Sequence, residues 1–486
     1  MNLDRENFLR LAAAGKPIPL VQDLLADVET PLSVYWKLAQ GETHSFLLES
    51  VTGGEQVSRY SMIGVAPKAV ARVRGGQARI EGGSSETLPE GQDPLHFLKQ
   101  HLGESVEHVP GLPKFVGGAV GVLSYDFVRY LEDLGPGPTD DLNLDDLAMM
   151  LTSQVVVFDH AKNLIRVIVL ADPTAEGYET ATAQIQSIEA KLAQPLPPLP
   201  EGRYPSHPVE SNVQQADFEA AVRTIKEYIA AGDGVQMVPS QRLRTKLDAH
   251  PLTAYRALRS LNPSPYMFLM RFGDFDLVGA SPEILVSLNG DEARVRPIAG
   301  TRWRGASEAE DDRLAEELLA DEKERAEHVM LIDLGRNDLG RVCVPGTVRP
   351  HDLMVIERYS HVMHIVSDVR GQLQPGLDAF DLVRATFPAG TVSGAPKVRA
   401  MQIIDELEPN RRGLYAGAAG VFSRSGEVDL AIILRTIVIK DGYAYVQAGA
   451  GVVYDSDPTK EYEETLNKAR ASLRAIELAQ AGLQKS

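Results

Sequence analysis

A proline-rich segment near the middle of the chain most limits how this sequence can fold. Residues 195–208 read PLPPLPEGRYPSHP, in which proline is too frequent for a helix or a central strand. We therefore predict a linker over 196–209 that separates an N-terminal region (1–195) from a C-terminal region (210–480). Both regions mix strand-like runs with helical periodicity, which predicts an α+β fold of large, mainly antiparallel sheets covered by helices.

Helical spacing is clearest just after the linker. Phe218, Val222, Ile225 and Ile229 recur on one helix face, and Gly232 follows as a stop signal. The same patterns predict further helices at 176–193, 311–334, 378–386, 396–407 and 458–479. Short apolar runs predict strands at 45–51, 153–159, 235–240, 275–280, 283–288, 361–369, 431–440 and 444–453.

Charge and cysteine content exclude several functional classes. The formal net charge of −18, with Lys and Arg scattered, gives no basic patch for a nucleic acid. No apolar run approaches the roughly 18 residues that span a bilayer, and the N-terminus lacks the pattern of a signal peptide. Cys343, the only cysteine, excludes an internal disulfide and a multi-cysteine metal site. We predict a cytoplasmic enzyme without nucleic-acid or membrane partners.

Two acidic clusters suggest a cation site. Glu324 and Glu327, late in a predicted helix, are three positions apart and project from one helix face. Glu461 and Glu464 repeat this spacing after Asp457, a suitable N-cap. Two such pairs can form an all-oxygen site for Mg2+. Glutamate pairs on helices are more often solvated faces, however, and the sequence leaves open whether the two helices meet.

Glycine-rich and histidine-containing segments do not match common cofactor motifs. Residues 388–397 (PAGTVSGAPK) form a turn into a helix but lack the spacing of a phosphate-binding Walker A loop. Gly449 and Gly451 lack the third glycine and the following helix of a dinucleotide fingerprint. His361 and His364 lie in an alternating segment that sends their rings to opposite sheet faces, so we do not predict a shared metal.

Taken together, these segments resemble the chorismate-utilising enzymes, and within that family the large subunits of anthranilate synthases. The resemblance implies the chorismate-binding enzyme fold, in which the N-terminal and C-terminal regions intertwine. The matching stretches follow the family order across nearly the whole chain: LLES (47–50), RYS (59–61), GGAVGVLSYD (117–126), GDGVQMVPSQ (232–241), NPSPYMF (262–268), GASPEILV (279–286), PIAGTR (297–302), DEKERAEHVMLIDLGRNDLGRV (321–342), SHVMHIVSDVRG (360–371), FPAGTVSGAPKVRAM (387–401), GLYAGAAG (413–420), ILRT (433–436), AGAG (448–451) and EYEETLNKA (461–469).

The resemblance implies a Mg2+-dependent reaction of chorismate. Glu327 and Glu464 correspond to direct metal ligands, whereas Glu324 and Glu461 correspond to residues that hold metal-bound waters. The resemblance implies that these residues would hold the metal against the ring carboxylate, where its charge would favour departure of the C4 hydroxyl. Glu283 corresponds to the general acid that protonates this hydroxyl, a role that requires burial to raise its pKa.

Other matched positions surround the substrate. His364 corresponds to the histidine beside the reacting ring, and Thr301 lines the same pocket. Tyr415 and Arg435 correspond to residues that hold the enolpyruvyl carboxylate, and the planar guanidinium of Arg435 suits both of its oxygens. The remaining substrate-contacting positions in the family pattern are Gly449, Gly451 and Lys468.

Two positions distinguish the members of the family. Relatives that form isochorismate or salicylate carry a lysine in place of Gln236, and aminodeoxychorismate synthases carry a nucleophilic lysine in place of Ala299. Gln236 with Ala299 therefore implies anthranilate formation from ammonia, with aminodeoxychorismate synthase as the alternative. Cys343 lacks the glycine-rich elbow of a glutaminase, so we expect a separate glutamine amidotransferase subunit, anthranilate synthase component II, as partner.

Two further segments resemble the tryptophan feedback site of the family. Tryptophan is expected to bind between the N-terminal strands and the C-terminal region as an inhibitor. A second alternative is a non-catalytic tryptophan-binding regulator, but that protein would have lost some of the catalytic glutamates, all of which are present. The matched inhibitor-site residues are Glu49, Ser50, Pro265, Tyr266 and Met267.

Overall fold

The structure is a computed structural model that describes residues 2–50, 59–359 and 362–483. His361 lies outside these residues. Within them, no helix combines the length and apolar character that crossing a bilayer requires. The α-helices are α1 (Arg5–Ala12), α2 (Pro31–Ala39), α3 (Pro94–His101), α4 (Ala175–Leu192), α5 (Gln215–Ala231), α6 (Pro251–Leu261), α7 (Glu308–Ala320), α8 (Glu322–Gly340), α9 (Ala379–Thr386), α10 (Lys397–Leu407) and α11 (Pro458–Gln480).

The strands fall on both sides of the proline-rich segment. Those before it are β1 (Ile18–Leu25), β2 (His44–Glu49), β3 (Tyr60–Val65), β4 (Ala69–Arg74), β5 (Gln77–Ile80), β6 (Glu86–Thr87), β7 (Gly118–Leu123), β8 (Leu147–Thr152), β9 (Gln154–Asp159) and β10 (Leu164–Ala171). Those after it are β11 (Glu210–Ser211), β12 (Gln236–Met237), β13 (Ser240–Lys246), β14 (Tyr266–Phe272), β15 (Phe275–Ser281), β16 (Ile284–Asn289), β17 (Glu292–Val295), β18 (Ile298–Trp303), β19 (Arg349–Pro350), β20 (Val355–Arg358), β21 (Val362–Val366), β22 (Val369–Gln372), β23 (Gly394–Ala395), β24 (Ala418–Ser423), β25 (Val428–Ile432), β26 (Thr436–Lys440) and β27 (Tyr443–Gly449).

Two eleven-stranded sheets combine strands from both sides of that segment. The first has the order β1-β10-β9-β3-β2-β14-β15-β26-β27-β13-β11, and the second β19-β22-β17-β16-β25-β24-β7-β8-β4-β5-β6. The two regions join where β2 pairs with β14 and where β7 pairs with β24, both antiparallel. This topology confirms the predicted mainly antiparallel α+β fold with intertwined regions.

The two sheets pack face to face, with helices on both outer faces. Phe46 and Phe268 of the first sheet share a buried cluster with Val120 and Met150 of the second. One outer cluster joins the first sheet to α2, α4, α6 and α11, and another joins the second sheet to α3, α8, α9 and α10. Each large apolar side chain buried in these layers stabilises the fold by about 1.5–3 kcal/mol.

The proline-rich segment lies extended between α4 and β11 and is held against the rest of the protein. The Trp36 indole donates a hydrogen bond to the Pro198 carbonyl at 3.0 Å. Thr253 donates to Pro200 at 2.8 Å, and the Gln480 side chain donates to Pro205 at 3.0 Å. These donors come from α2, α6 and α11, so the segment is fixed to helices from both halves of the chain.

The predicted helix at 311–334 is wrong in one respect that matters for the site. It consists of two helices, because Asp321 has extended backbone angles and its carboxylate caps α8 by accepting from the Lys323 and Glu324 amides. Glu324 and Glu327 therefore lie in the first turns of α8 and not late in a helix. The helix after the linker is confirmed, and it ends at Gly232, whose φ of 90° is the left-handed conformation that glycine favours.

Three predicted strands are also interrupted. The run at 235–240 is β12 followed by β13, since Pro239 has no amide hydrogen for a sheet ladder. The run at 431–440 breaks at Arg435, whose φ of 49° bends the chain between β25 and β26. The run at 361–369 is β21 followed by β22, with Ser367 and Asp368 between them. Two of these interruptions lie at or beside predicted site residues, Gln236 and Arg435.

Candidate active site

Glu283 lies between β15 and β16 in the interior of the protein, with only 4% of its surface exposed. The Thr391 hydroxyl donates a hydrogen bond to Glu283 Oε1 at 2.8 Å. Burial raises the pKa of Glu283 to about 8, outweighing the opposing effects of Thr391 and of the nearby Arg435 and Lys468 cations. Its side chain is therefore mainly protonated at neutral pH and is able to donate a proton.

The four glutamates of the predicted cation site are close enough to affect one another. Burial raises the pKa of the half-buried Glu327, and repulsion from Glu324 and Glu464 raises it further. Burial likewise raises the pKa of Glu461, with a contribution from Glu464. Like charges act on one another in this way only over short distances. Helices α8 and α11 therefore bring these carboxylates within electrostatic range of one another, a point that the sequence left open.

Basic side chains form ion pairs with two of these carboxylates, those of Glu464 and Glu324. Lys468 Nζ lies 2.7 Å from Glu464 Oε1, and Arg302 Nη1 lies 3.5 Å from Glu324 Oε1. Within the described ranges, no three His, Cys, Asp or Glu side chains are arranged as a ready-formed metal centre. The acidic donor set suits a hard cation, but its side chains must reorient to share one.

Gln236 lies on β12 directly beside these carboxylates and is buried, at 3% exposure. Its Nε2 donates to Glu327 Oε1 at 3.3 Å. Its Oε1 is buried without a hydrogen-bond partner among the described residues. Buried polar atoms in native proteins are rarely left unpaired, so this amide oxygen is a candidate contact for a ligand that brings an N–H or O–H group.

His364 on β21 faces Thr301 and Gly300 of β18. Its Nδ1 lies 2.9 Å from the Gly300 carbonyl, which can only accept, so the proton sits on Nδ1 and Nε2 keeps its lone pair. Thr301 Oγ1 lies 3.1 Å from the same nitrogen, and Tyr359 packs edge-on against the ring. Burial lowers the pKa of His364 to about 4, which keeps the imidazole neutral.

Tyr415 and the C-terminal end of β27 line another side of the candidate site. A Cβ at Gly449 would lie 2.8 Å from the Tyr415 hydroxyl, and a Cβ at Gly451 would lie 2.6 Å from Gln236 Nε2. At Gly449 the Pro239 carbonyl oxygen, also at 2.8 Å, leaves no room for a side chain, whereas a side chain at position 451 would displace the Gln236 amide. Lys468 Nζ donates to the Gly449 carbonyl at 3.0 Å, which ties α11 to this side of the site.

Arg435 provides a cation in the same region. The left-handed backbone at Arg435 brings its half-buried guanidinium towards Glu283 and His364, and its charge alters the pKa of both groups. Burial lowers the pKa of Arg435 itself. Among the described residues, no carboxylate forms an ion pair with it. A planar guanidinium in this setting suits the carboxylate of a ligand.

Contacts and electrostatic interactions thus join the predicted catalytic, substrate-binding and metal positions into one site. Two residues of that site escaped prediction from sequence: Thr391, which holds Glu283, and Arg412, which packs against Tyr415. Both lie in or beside recognised stretches. Their residue types alone do not indicate which distant side chain each one contacts.

The predicted inhibitor segments lie elsewhere and also come together. Glu49, at the end of β2, pairs across the sheet with Met267 of β14. The buried Glu49 carboxylate accepts hydrogen bonds from the Tyr255 hydroxyl and from Arg259 Nε, the latter at 3.0 Å. Ser50 and Pro265 adjoin these strand ends, and Tyr266 begins β14.

The described arrangement matches a known family. The family model for chorismate binding enzymes covers residues 43–474. The chain belongs to the chorismate-binding enzyme family. It is 51% identical to anthranilate synthase component 1 of Pseudomonas putida over 491 residues, spanning 98% of this chain and 99% of that protein. It is 50% identical to the Pseudomonas aeruginosa protein of the same name, spanning 99% of this chain and the whole of that protein.

Solved structures agree with this assignment. The crystal structure of anthranilate synthase component I from Streptococcus pneumoniae is 40% identical, with a TM-score of 0.79, and the match covers 85% of this chain and 92% of that one. The menaquinone-specific isochorismate synthase from Escherichia coli is 19% identical, with a TM-score of 0.69 over 97% of this chain and 98% of that one. At this identity it shows the shared fold alone. The predicted resemblance to anthranilate synthase component I is confirmed.

Proposed function

We propose that this enzyme converts chorismate and ammonia to anthranilate and pyruvate in a Mg2+-dependent reaction, as the first step of tryptophan biosynthesis. The observation that carries the proposal is the buried Glu283, an acid with a pKa raised to about 8 beside the Arg435 cation. The chain that carries Glu283 belongs to the chorismate-binding enzyme family. Over its whole length it is about half identical to proteins named anthranilate synthase component 1.

The glutamates of α8 and α11 are the proposed holders of Mg2+, with Glu327 and Glu464 as direct ligands and Glu324 and Glu461 as holders of bound water. When bound, the metal supplies positive charge to the ring carboxylate of the substrate. Support comes from the raised pKa values of Glu327 and Glu461, which result from burial and from repulsion between the carboxylates. A cation relieves that repulsion, so these residues fit the group.

The other side chains have complementary roles in the proposed reaction. Glu283 donates its proton to the departing C4 hydroxyl, which leaves as water while ammonia adds to the ring. Arg435 and Tyr415 hold the enolpyruvyl carboxylate. The unpartnered Oε1 of Gln236 accepts an N–H of the incoming ammonia. His364, neutral and with a free lone pair on Nε2, is suited to take the ring proton as pyruvate leaves.

Two residues favour this product over those of related enzymes. A glutamine at position 236 cannot act as a base at neutral pH, so the nucleophile must arrive already competent, as ammonia does. Ala299, buried on β18, provides no nucleophile for the covalent route of the aminodeoxychorismate synthases. This pair of residues argues against the alternative product.

A partner subunit is the proposed source of ammonia. Cys343 is buried, and burial raises the pKa of its thiol to about 11, the opposite of an activated nucleophile. The chain therefore provides no cysteine for glutamine hydrolysis. The name component 1 borne by its relatives implies a second component. We assign that role to a glutamine amidotransferase.

Tryptophan is the proposed feedback inhibitor, bound beside Glu49 and Ser50 on one side and Pro265 to Met267 on the other. The support is the β2–β14 pairing, which places these distant segments next to each other across the junction of the two regions. A ligand there affects catalysis only if it binds two arrangements of the regions with different affinity.

The deciding experiment is product identification. Purified protein is incubated with chorismate, Mg2+ and ammonium at mildly alkaline pH, and in parallel with glutamine in place of ammonium or with a chelator in place of Mg2+. We expect anthranilate from the complete ammonium mixture alone. Formation of aminodeoxychorismate or isochorismate would contradict the assignment, and turnover of glutamine by the isolated chain would contradict the need for a partner.

A further inference from the structure

Arg412 lies behind the candidate site, fully enclosed by protein. Its side chain is 2% exposed and its guanidinium makes four hydrogen bonds to three residues. Two go to the Glu408 carboxylate, from Nε at 3.0 Å and from Nη2 at 2.7 Å. The others go to main-chain carbonyls, from Nη1 to Val392 at 2.7 Å and from Nη2 to Val238 at 2.5 Å.

Each of these carbonyls belongs to a segment that carries a site residue. Val238 follows Gln236 by two positions, so the hydrogen bond from Arg412 to its carbonyl holds the end of β12 in place. Val392 adjoins Thr391, whose hydroxyl donates to Glu283 at 2.8 Å. The single guanidinium group thus joins the strand of the buried amide to the turn that orients the buried acid.

The same guanidinium also contacts two tyrosine rings, one of them that of the site residue Tyr415. The Arg412 Cζ atom lies over the rings of both Tyr125 and Tyr415, at 4.8 and 5.5 Å from their centroids. Burial opposes its charge, but Glu408 and the two rings hold the pKa of Arg412 above its ordinary value. Glu408 is itself fixed, since its Oε1 accepts from both the amide and the hydroxyl of Ser240 at 2.8 Å.

We propose that Arg412 is a positioning residue that sets Gln236, Glu283 and Tyr415 at their working distances from one another. This inference rests on the proposed function of that site. The task needs a rigid, planar group with several donors, which lysine with its single ammonium does not provide. Small displacements of reacting groups are costly, since about 1 Å of misplacement lowers rates by roughly 100-fold.

The test compares two buried arginines. Arg72, 3% exposed, bonds to Asp145, Asp274 and the Phe272 carbonyl, away from the candidate site. Both Arg412→Lys and Arg72→Lys are expected to lower the melting temperature. Only Arg412→Lys is expected to lower kcat, by about 100-fold, with a smaller rise in the KM for chorismate. Only in that variant does the alkaline limb of the pH profile move upwards, because a loosened Thr391 no longer lowers the pKa of Glu283.

A second variant covers the case in which Arg412→Lys does not fold. Glu408→Gln keeps the shape of the counter-ion and removes its charge, so it is expected to lower kcat and shift the pH profile in the same direction by a smaller factor. Normal kcat and pH profile in either variant would overturn the proposal. So would failure of both to fold while Arg72→Lys folds, since Arg412 would then serve the fold alone. Rates are followed as chorismate consumption, so a different product from the parent protein would contradict the proposed function and not this inference.

Discussion

Two buried glutamates of this enzyme, Glu49 and Glu283, have opposite surroundings. At the inhibitor segments, Glu49 is buried with a guanidinium and a phenol bonded to its carboxylate. In the candidate active site, Glu283 is buried with the uncharged Thr391 hydroxyl and Ile298 amide as hydrogen-bond donors, and burial raises its pKa to about 8. The carboxylate with a charged partner anchors a strand to α6, whereas the one with uncharged donors has the raised pKa that suits the proposed acid. The difference shows that the partners, and not burial alone, decide the role of a buried glutamate.

The carboxylates of α8 and α11 form a group of negative charges with too few basic partners. Substitutions there should have the largest effect on activity. Glu327→Gln should abolish turnover at any Mg2+ concentration, because a direct ligand and its charge are lost. Glu461→Gln, which removes a water-holding group, should lower activity by about 10–100-fold.

Glu463→Gln is the matched control, since Glu463 is exposed on the same helix as Glu461. Mg2+ titrations of the rate and circular dichroism spectra check these expectations. Near-normal turnover of Glu327→Gln at low Mg2+ would remove this residue from the metal site.

The acid itself gives the next largest effect. Glu283→Gln keeps the shape of the protonated side chain but cannot donate a proton, so kcat should fall by about 10²–10⁴-fold. In the parent protein the rate should decline as the pH rises through about 8, when Glu283 loses its proton. Rate measurements from pH 6 to pH 9.5 test both points. An unchanged rate up to pH 9.5 would show that another group supplies the proton.

A smaller effect is expected at the inhibitor segments. Ser50→Phe should occupy part of the proposed tryptophan site at the end of β2 and raise the tryptophan concentration for half-inhibition, by about 10-fold for a loss of 1.4 kcal/mol of binding. Anthranilate formation is measured against tryptophan concentration, relative to the uninhibited rate of each protein. Superimposable curves would place Ser50 outside the inhibitor site, and an uninhibited parent protein would mean that the motif here has no regulatory use.

The smallest effect concerns stability, and its sign differs between the two glutamates. The folded-state pKa of Glu283 lies above its ordinary value of 4.5, so its stabilising contribution is complete below that value and is lost as the pH rises through about 8. Glu283→Gln should therefore raise the melting temperature at pH 9 by more than at pH 6. Glu49→Gln removes the partner of Arg259 and should lower stability by about 1–3 kcal/mol.

Thermal unfolding of both variants, measured at the two pH values, checks this difference. The same change in both proteins would show that the two sites do not differ as described.

The sequence was sufficient to select the glutamates that we propose as metal ligands and as the acid, because helical spacing and family motifs are local or ordered along the chain. It also contained a signal for the break before α8, since Asp321 followed three positions later by Glu324 has the spacing of a capping box. The helical periodicity continues on both sides of Asp321, and the break was therefore not recognised. Thr391 and Arg412 were not predictable, because their importance comes from contacts with Glu283, Val238 and other residues distant in sequence.

The pairing of β7 with β24 has a consequence for how the chain is made. Gly118 of β7 pairs with Ser423 of β24, so β7 leaves the ribosome about 300 residues before β24 exists. At synthesis rates of about 5–20 residues per second, that interval is roughly 15–60 s. During it, β7 offers an unpaired edge of apolar residues to any other strand nearby. Slow translation or crowded overexpression should therefore reduce the yield of this enzyme more than its final stability would suggest.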